Sequence, residues 1–219
     1  MVDPTSSLDP SEARDYLISL PERIGKPKAI VIVSAHFETD GPVVVSDANP
    51  EMIYDFGGFA PELYEMVYPA PGDPDLAMRV ATMLDDAGLT PRLAPRRGYD
   101  HGTWTSMKLA YPEADIPIVQ LSIDPGRNAA YHFALGQALA PLAEENILLI
   151  GSGHISRIIC GQCSARCVAE LRRIRKWLAR LLPSPIGLQG NSRTMTVMPF
   201  STGGKKHRLL VTTIRPTSI

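Results

Sequence analysis

A chain of 219 residues, of which 44% are hydrophobic, is long enough for one α/β domain with a real core, or one domain with an appendage, and its formal net charge is −1. It has no apolar run of the roughly 18 residues that span a membrane, and its N-terminus lacks the regions of a signal peptide. Its three cysteines do not make a disulfide framework, so a reducing cytoplasm is the expected location.

Charge is divided unevenly along the chain. Residues 1–156 hold 10 Lys/Arg and 22 Asp/Glu, whereas residues 157–219 hold 12 Lys/Arg, the single acid Glu170 and all three cysteines. Such a basic segment is typical of a tail that contacts nucleic acid or an anionic surface, but translation in another reading frame produces the same bias. We therefore expect a body at residues 1–156 and an atypical C-terminal segment at residues 157–219.

The body alternates between helical and strand patterns. Asp-Pro-Ser-Glu at residues 9–12 predicts the start of a helix that runs to about Leu20, and the β-branched run at residues 28–34 predicts a buried parallel strand. The remaining predicted elements are strands at 43–46, 117–123 and 146–151, and helices at 73–88 and 129–142. This alternation predicts an α/β fold with a mostly parallel central sheet and helices on both faces.

Two histidines and a glycine-rich segment are candidate functional features. His36 comes just past the predicted strand at residues 28–34, where open α/β sheets place ligands, and a neutral imidazole there can bind a transition metal or transfer a proton. His101 lies in a predicted loop beside Asp100, which either orients the imidazole or caps a turn. Gly-Ser-Gly at residues 151–153, followed by His154, also lies at the carboxyl edge of the predicted sheet.

Two loop segments are rich in aromatic residues, proline and glycine. The first spans residues 54–59 and begins with Tyr54, and the second spans residues 68–72. They either line a pocket for an aromatic substrate or form surface turns, which use the same residue types.

Six motifs occur in a fixed order along the body. They are Ser-Ala-His-Phe-Glu at 34–38, Tyr-Asp-Phe at 54–56, Tyr-Pro-Ala-Pro-Gly at 68–72, Asp-His-Gly at 100–102, Tyr-Pro-Glu-Ala-Asp-Ile-Pro at 111–117 and Gly-Ser-Gly at 151–153. Together they resemble the class III (LigB-type) extradiol ring-cleavage dioxygenases, in the branch containing DOPA 4,5-dioxygenase, over about residues 3–156. The resemblance implies an enzyme that inserts O2 into a catechol ring at a non-haem Fe(II) or Zn(II) site. It implies a catechol and O2 as partners, and neither nucleic acid nor a membrane.

The same resemblance assigns roles to particular residues. His36 matches a metal ligand and His101 matches the acid/base group, while Tyr54 and Asp100 are expected beside the substrate. His154 lies just before the position of a further family ligand and is a possible substitute for it. Glu38 and His207 are additional candidate ligands.

The chain also departs from the family pattern. The family's first metal histidine falls at Met1 here, a later one falls at Arg157, and the C-terminal His-Pro-x-x-Glu-His motif is absent. We therefore expect that the first strand and the genuine C-terminal segment are missing. We further expect that a reading-frame change near residue 156 introduced the tail, and that the missing ligands limit the activity of this chain.

The C-terminal segment has patterns of its own. Residues 168–182 predict a basic amphipathic helix, the three cysteines at 160, 163 and 167 resemble an incomplete zinc cluster, and residues 193–200 and 207–214 predict a hairpin.

Two other functions remain open from the sequence. One is a non-catalytic protein that kept the catechol pocket and lost the metal. The other is a zinc-dependent hydrolase on a similar scaffold, which needs three ligands and a carboxylate that activates water.

Overall fold

A computed structural model describes residues 4–10, 12–153, 196–202 and 205–212. In these ranges the α-helices are α1 (Glu12–Ile18), α2 (Leu20–Ile24), α3 (Pro74–Asp86), α4 (His101–Ala110) and α5 (Ala129–Leu139). The strands are β1 (Ala29–Glu38), β2 (Val43–Val45), β3 (Arg92–Ala94), β4 (Ile118–Ile123), β5 (Ile147–Ser152), β6 (Thr196–Thr202) and β7 (Lys205–Thr212). Short 3-10 helices occupy Pro4–Ser7, Pro61–Leu63 and Ala140–Glu145.

The strands form one sheet in the order β3-β2-β4-β1-β5-β7-β6. The central strand β1 pairs in parallel with β4 on one side and with β5 on the other. Parallel pairs also join β2 to β3 and β5 to β7, whereas the β2–β4 and β6–β7 pairs are antiparallel. The predicted mostly parallel α/β sheet is therefore confirmed.

Side chains of β1 alternate between two hydrophobic clusters, one on each face of the sheet. Ile30 and Ile32 pack on the face covered by α4, in a cluster that includes Trp104. Val31 points to the opposite face, where buried residues of α3 and α5 pack. Successive residues of β1 pack into hydrophobic clusters on opposite faces of the sheet, so an apolar residue is needed at nearly every position, which explains the continuous apolar run. The predicted helices on both faces are confirmed.

Helix α3 begins and ends as its sequence predicts. The Asp73 side chain accepts a hydrogen bond from the backbone N–H of Leu76 at 2.9 Å, and Pro74 takes the first helical position. Gly88, just beyond the helix, has φ of +74°, a conformation that glycine adopts readily.

The first predicted helix is instead two short ones. α1 ends at Ile18, Ser19 follows, and Pro21 lies in the first turn of α2. Proline is tolerated in a first turn but not in a helix interior, so the chain begins a second helix there.

At the C-terminal end, β6 and β7 pair antiparallel, which confirms the predicted hairpin, and β7 adds in parallel to β5. The predicted helix at residues 168–182, the three cysteines and His154 lie outside the described residues. In the described ranges, no helix is long and apolar enough to cross a membrane.

Candidate functional site

The carboxyl end of β1 is irregular where it carries the first histidine. Regular pairing with β4 runs from Ile30 to Val33, and the register then shifts before Glu38. His36 lies inside this irregular stretch, so the prediction that it lies just past the strand is wrong. Ser34 and His36 nevertheless face α4, because a Cβ atom on Gly102 of that helix would lie 2.7 Å from Oγ of Ser34 and 3.0 Å from Cδ2 of His36.

The second histidine begins a helix rather than lying in a loop. His101 is the first residue of α4, a segment that the sequence analysis did not predict as helical. Asp100 stands at the N-cap position, but its side chain caps no helical N–H. The carboxylate of Asp55 instead accepts the backbone N–H of His101 at 2.9 Å. A carboxylate at a helix N-terminus is favourable because the first N–H groups have no partner within the helix.

His36, Asp55 and His101 form a compact cluster. The two imidazole centroids lie 3.9 Å apart. Oδ1 of Asp55 is 2.8 Å from Nδ1 of His101, and Oδ2 is 3.8 Å from Nδ1 of His36. One potential ligand atom from each residue lies within 4.8 Å of the others. Two imidazoles and a carboxylate are the donor set of many non-haem iron sites.

Burial and neighbouring charges set the protonation of this cluster. Burial, followed by the electrostatic influence of the adjacent His101 ring, holds the pKa of His36 below its usual value. Burial alone would raise the pKa of Asp55, but the hydrogen bonds from the side chain and backbone of His101 outweigh it and hold that pKa below its usual value. At neutral pH, His36 is therefore neutral and Asp55 is charged, which are the forms that bind metal ions.

One nitrogen of the cluster fits a metal directly. Among the described residues, Nε2 of His36 is buried and has no hydrogen-bond partner. A buried polar atom without a partner costs free energy, and coordination to a metal would use its lone pair. The site therefore fits a non-haem Fe(II) or Zn(II) ion through His36, whereas Nδ1 of His101 and Oδ1 of Asp55 are already hydrogen-bonded to each other.

A second, fully buried carboxylate lies behind the cluster. Asp100 accepts a hydrogen bond from Oγ of Ser34 at 2.7 Å and another from the side-chain amide of Gln120. Nη2 of Arg97 is 3.5 Å away. Since Ser34 belongs to β1 and Gln120 to β4, Asp100 ties the start of α4 to two strands. The acid that orients His101 is Asp55 and not Asp100, so that expectation is corrected.

Close packing holds β1 against α4. A Cβ atom on Gly102 would lie 2.7 Å from Oγ of Ser34 and 3.0 Å from Cδ2 of His36, so this position requires glycine. The carbonyl oxygen of Gly102 accepts a hydrogen bond from Oγ of Ser152 on β5 at 2.7 Å.

Aromatic rings border the cluster on one side. The Phe56 ring meets His101 edge-on at 5.6 Å between centroids. Tyr54 packs against Trp104 and donates its hydroxyl to the carbonyl of Met66 at 2.7 Å. Tyr68, from the second aromatic segment, is buried in the core.

The remaining candidates stand apart from the cluster. Glu38 ends β1 and is not one of the three grouped residues, and His207 lies in β7, opposite Phe200 of β6. The roles assigned to Tyr54, Asp100 and His154 stay predictions. Sequence reasoning missed Asp55, although it lies in the Tyr-Asp-Phe motif at residues 54–56 that supported the resemblance.

Comparison with known proteins gives one consistent family. The model of the catalytic LigB subunit of aromatic ring-opening dioxygenase matches residues 15–167, which extends past residue 156. A 4,5-DOPA dioxygenase extradiol of Beta vulgaris is 47% identical over 155 residues, covering 68% of this chain and 58% of that protein. The protein of the same name in Escherichia coli K12 is 47% identical over 130 residues, covering 59% of this chain and 48% of its own length.

A solved structure agrees with these relatives. The crystal structure of an uncharacterized Escherichia coli K12 protein superposes with a TM-score of 0.55 at 39% identity, covering 68% of this chain and 55% of that one. The sheet that carries the histidine cluster thus has the α/β fold of that structure. The chain is a member of the LigB family, as its motifs predicted, and spans roughly half the length of these relatives.

Proposed function

We propose that this chain is an extradiol dioxygenase that opens a catechol ring of the DOPA type with O2. The observation that supports the proposal most strongly is the pairing of His36 with His101 around Asp55, at the carboxyl end of the central strand. Relatives named 4,5-DOPA dioxygenase extradiol support the choice of substrate.

His36 is the proposed metal ligand through Nε2, which has no hydrogen-bond partner in the part of the chain that the structure describes. His154 is proposed as a second ligand. The metal, when bound, would supply the Lewis-acid and redox chemistry that lets a catechol react with O2. The chain's own task is to hold neutral imidazole donors in place and to leave other positions around the metal open.

His101 is the proposed acid/base group. It takes the proton of a catechol hydroxyl on one ring nitrogen, while the other nitrogen stays hydrogen-bonded to Asp55. Tyr54 and Phe56 form the proposed aromatic wall beside the substrate. Asp100 contributes by holding the start of α4 against β1.

Anaerobic reconstitution tests the function. The purified chain is loaded with Fe(II), mixed with DOPA and exposed to O2, and the yellow ring-opened product is followed by absorbance. We expect low turnover that depends on iron and stops after chelation, because Met1 and Arg157 stand where the family has metal histidines. Robust turnover would show that the ligands have been misplaced. Tight catechol binding without turnover or metal would instead identify a non-catalytic binding protein, and bound zinc with esterase activity would identify a hydrolase.

The proposal also concerns location and domain organisation. We propose a cytoplasmic protein whose function resides in residues 1–156, with residues 157–219 introduced by a change of reading frame, although the family model continues to match as far as residue 167. Resequencing the source DNA tests the second point. An intact frame, together with recurrence of this tail in related proteins, would contradict it.

A further inference from the structure

Two hydrogen bonds from one residue converge on a single carboxylate oxygen. Oδ1 of Asp55 accepts the backbone N–H of His101 at 2.9 Å and lies 2.8 Å from Nδ1 of the same residue. The backbone contact holds His101 at the first position of α4, and the ring contact sets the orientation of its imidazole. The Phe56 ring packs edge-on against the imidazole. Both the backbone and the ring of His101 are thus held in place, and only 4% of its side chain is exposed.

The ring contact also determines which nitrogen carries the proton. Oδ1 of Asp55 already accepts the backbone N–H of His101, and a carboxylate oxygen placed in this way acts as an acceptor toward the ring as well. Nδ1 of His101 must therefore be the protonated nitrogen, which leaves the lone pair of the neutral ring on Nε2. The same arrangement is common where a carboxylate orients a functional histidine.

Asp55 faces the corresponding nitrogen of the second histidine as well. Oδ2 lies 3.8 Å from Nδ1 of His36, while Nε2 of His36 is the buried nitrogen with no partner among the described residues. One carboxylate therefore lies on the Nδ1 side of both imidazoles.

We propose that Asp55 is a positioning residue that fixes His101 in the Nδ1–H tautomer, so that Nε2 is the nitrogen that exchanges a proton with a catechol hydroxyl. This inference rests on the proposed function and deepens it. In the proton-transfer step, the hydroxyl O–H bond breaks and an Nε2–H bond forms. The proton on Nδ1 stays there, hydrogen-bonded to Asp55, and the carboxylate itself remains ionised. When the proton returns from Nε2, the starting tautomer is restored.

Nitrogen-15 NMR of the histidine rings in the full, metal-free chain tests the tautomer directly. The chain has 5 histidines, so comparison with His101→Ala assigns the signals of interest. Spectra are recorded at about pH 8, above the ordinary imidazole pKa of about 6.5, so that the rings are neutral. We expect the wild-type chain to show protonated Nδ1 and unprotonated Nε2 at His101. Asp55→Ala should give a mixture of tautomers, and Asp55→Asn, whose amide oxygen still accepts a hydrogen bond, should keep more of the wild-type form.

Kinetics and metal content complete the test. We expect Asp55→Ala to lower kcat by about 10–100-fold with little change in KM and with metal content retained, and Asp55→Asn to recover part of the loss. Asp86→Asn, an exposed aspartate at the end of α3, is the matched control and should change neither property. Circular dichroism with thermal melting checks that each variant is folded.

Three results separate the alternatives. An unchanged His101 tautomer in Asp55→Ala would overturn the inference. Loss of metal from both Asp55 variants with an unchanged tautomer would also overturn it, because Asp55 would then be a metal ligand. If the tautomer behaves as expected but the wild-type chain never opens a catechol ring, the positioning contact is supported and the proposed function fails.

Discussion

Helices α3 and α4 pack on opposite faces of the same sheet and are built in different ways. In α3, the buried residues recur every three or four positions as Leu76, Ala77, Val80, Ala81 and Leu84, while Met78 on the other side is 56% exposed. In α4, eight of the ten residues are buried, and several of them are polar. The first helix covers an apolar face, whereas the second carries the proposed acid/base group into the interior.

The difference shows that the helix beside the candidate site is the less stably packed of the two. Within the described part of the chain, the hydroxyl groups of Thr103 and Thr105 in α4 are buried without a hydrogen-bond partner. Each such group costs about 1–3 kcal/mol of desolvation free energy. Buried polar groups without partners are expected near functional sites, and α4 has two of them close to His36 and His101.

The largest expected effect comes from His36, on the α4 face. His36→Ala removes the imidazole whose buried Nε2 has no partner among the residues that the structure describes, so the variant should no longer retain metal. Metal content is measured after anaerobic loading with Fe(II) and gel filtration. His132→Ala is the control on the other side of the sheet, because His132 lies in α5 and accepts the backbone N–H of Asp124. Equal metal content in the two variants would remove His36 from the ligand set.

Replacing His101 should separate catalysis from metal binding. His101→Ala should keep its metal and lose about 10²–10⁴-fold in turnover, the usual contribution of a positioned acid/base group. Metal analysis and DOPA ring opening on the same preparation measure both effects. If His101→Ala loses the metal while His36→Ala keeps it, the two roles are reversed.

The contrast between the helices also explains what the sequence predicted. The apolar spacing, the Asp73 cap and Gly88 were sufficient to place α3 correctly. Helix α4 was missed because it is buried nearly all round and so has no polar and apolar faces. It is also rich in residues of low helix propensity, such as Gly102, Thr103 and Thr105.

For the site, the sequence identified two of the three clustered residues. His36 and His101 were found through a strand end and a motif, but their contact depends on how β1 and α4 pack. Asp55 is far from both along the chain, and a carboxylate in a loop has no periodicity that could mark it. Only the folded structure shows that it binds the ring and the backbone of His101.

Two glycines give a direct comparison of the two faces. Gly102→Ala places a Cβ against Ser34 and His36, so we expect a loss of about 1–3 kcal/mol in unfolding free energy and weaker metal retention. Gly136→Ala in α5 meets no atom within 4 Å and should stabilise the protein by about 0.5–1 kcal/mol, since alanine favours the helix. Urea unfolding and metal analysis test both variants. Normal metal retention in a folded Gly102→Ala variant would show that close packing at Gly102 does not position His36.

The smallest expected effect is confined to stability and lies on the α5 side. Hydrogen bonds from the backbone N–H groups of Gly41 and Gly126 hold the pKa of Asp124 below its ordinary value of 3.8. Because the pKa of Asp124 is lower in the folded protein than in the unfolded chain, its ionised carboxylate stabilises the fold fully at pH values above 3.8. This stabilisation is lost as the pH falls below 3.8 and through the pKa of the folded protein. Asp124→Asn should therefore lower the melting temperature at neutral pH, and the difference from the wild-type protein should shrink at about pH 3. Because Asp124 is not part of the histidine cluster, the variant should keep its metal, and an equal loss of melting temperature at both pH values would contradict the electrostatic explanation.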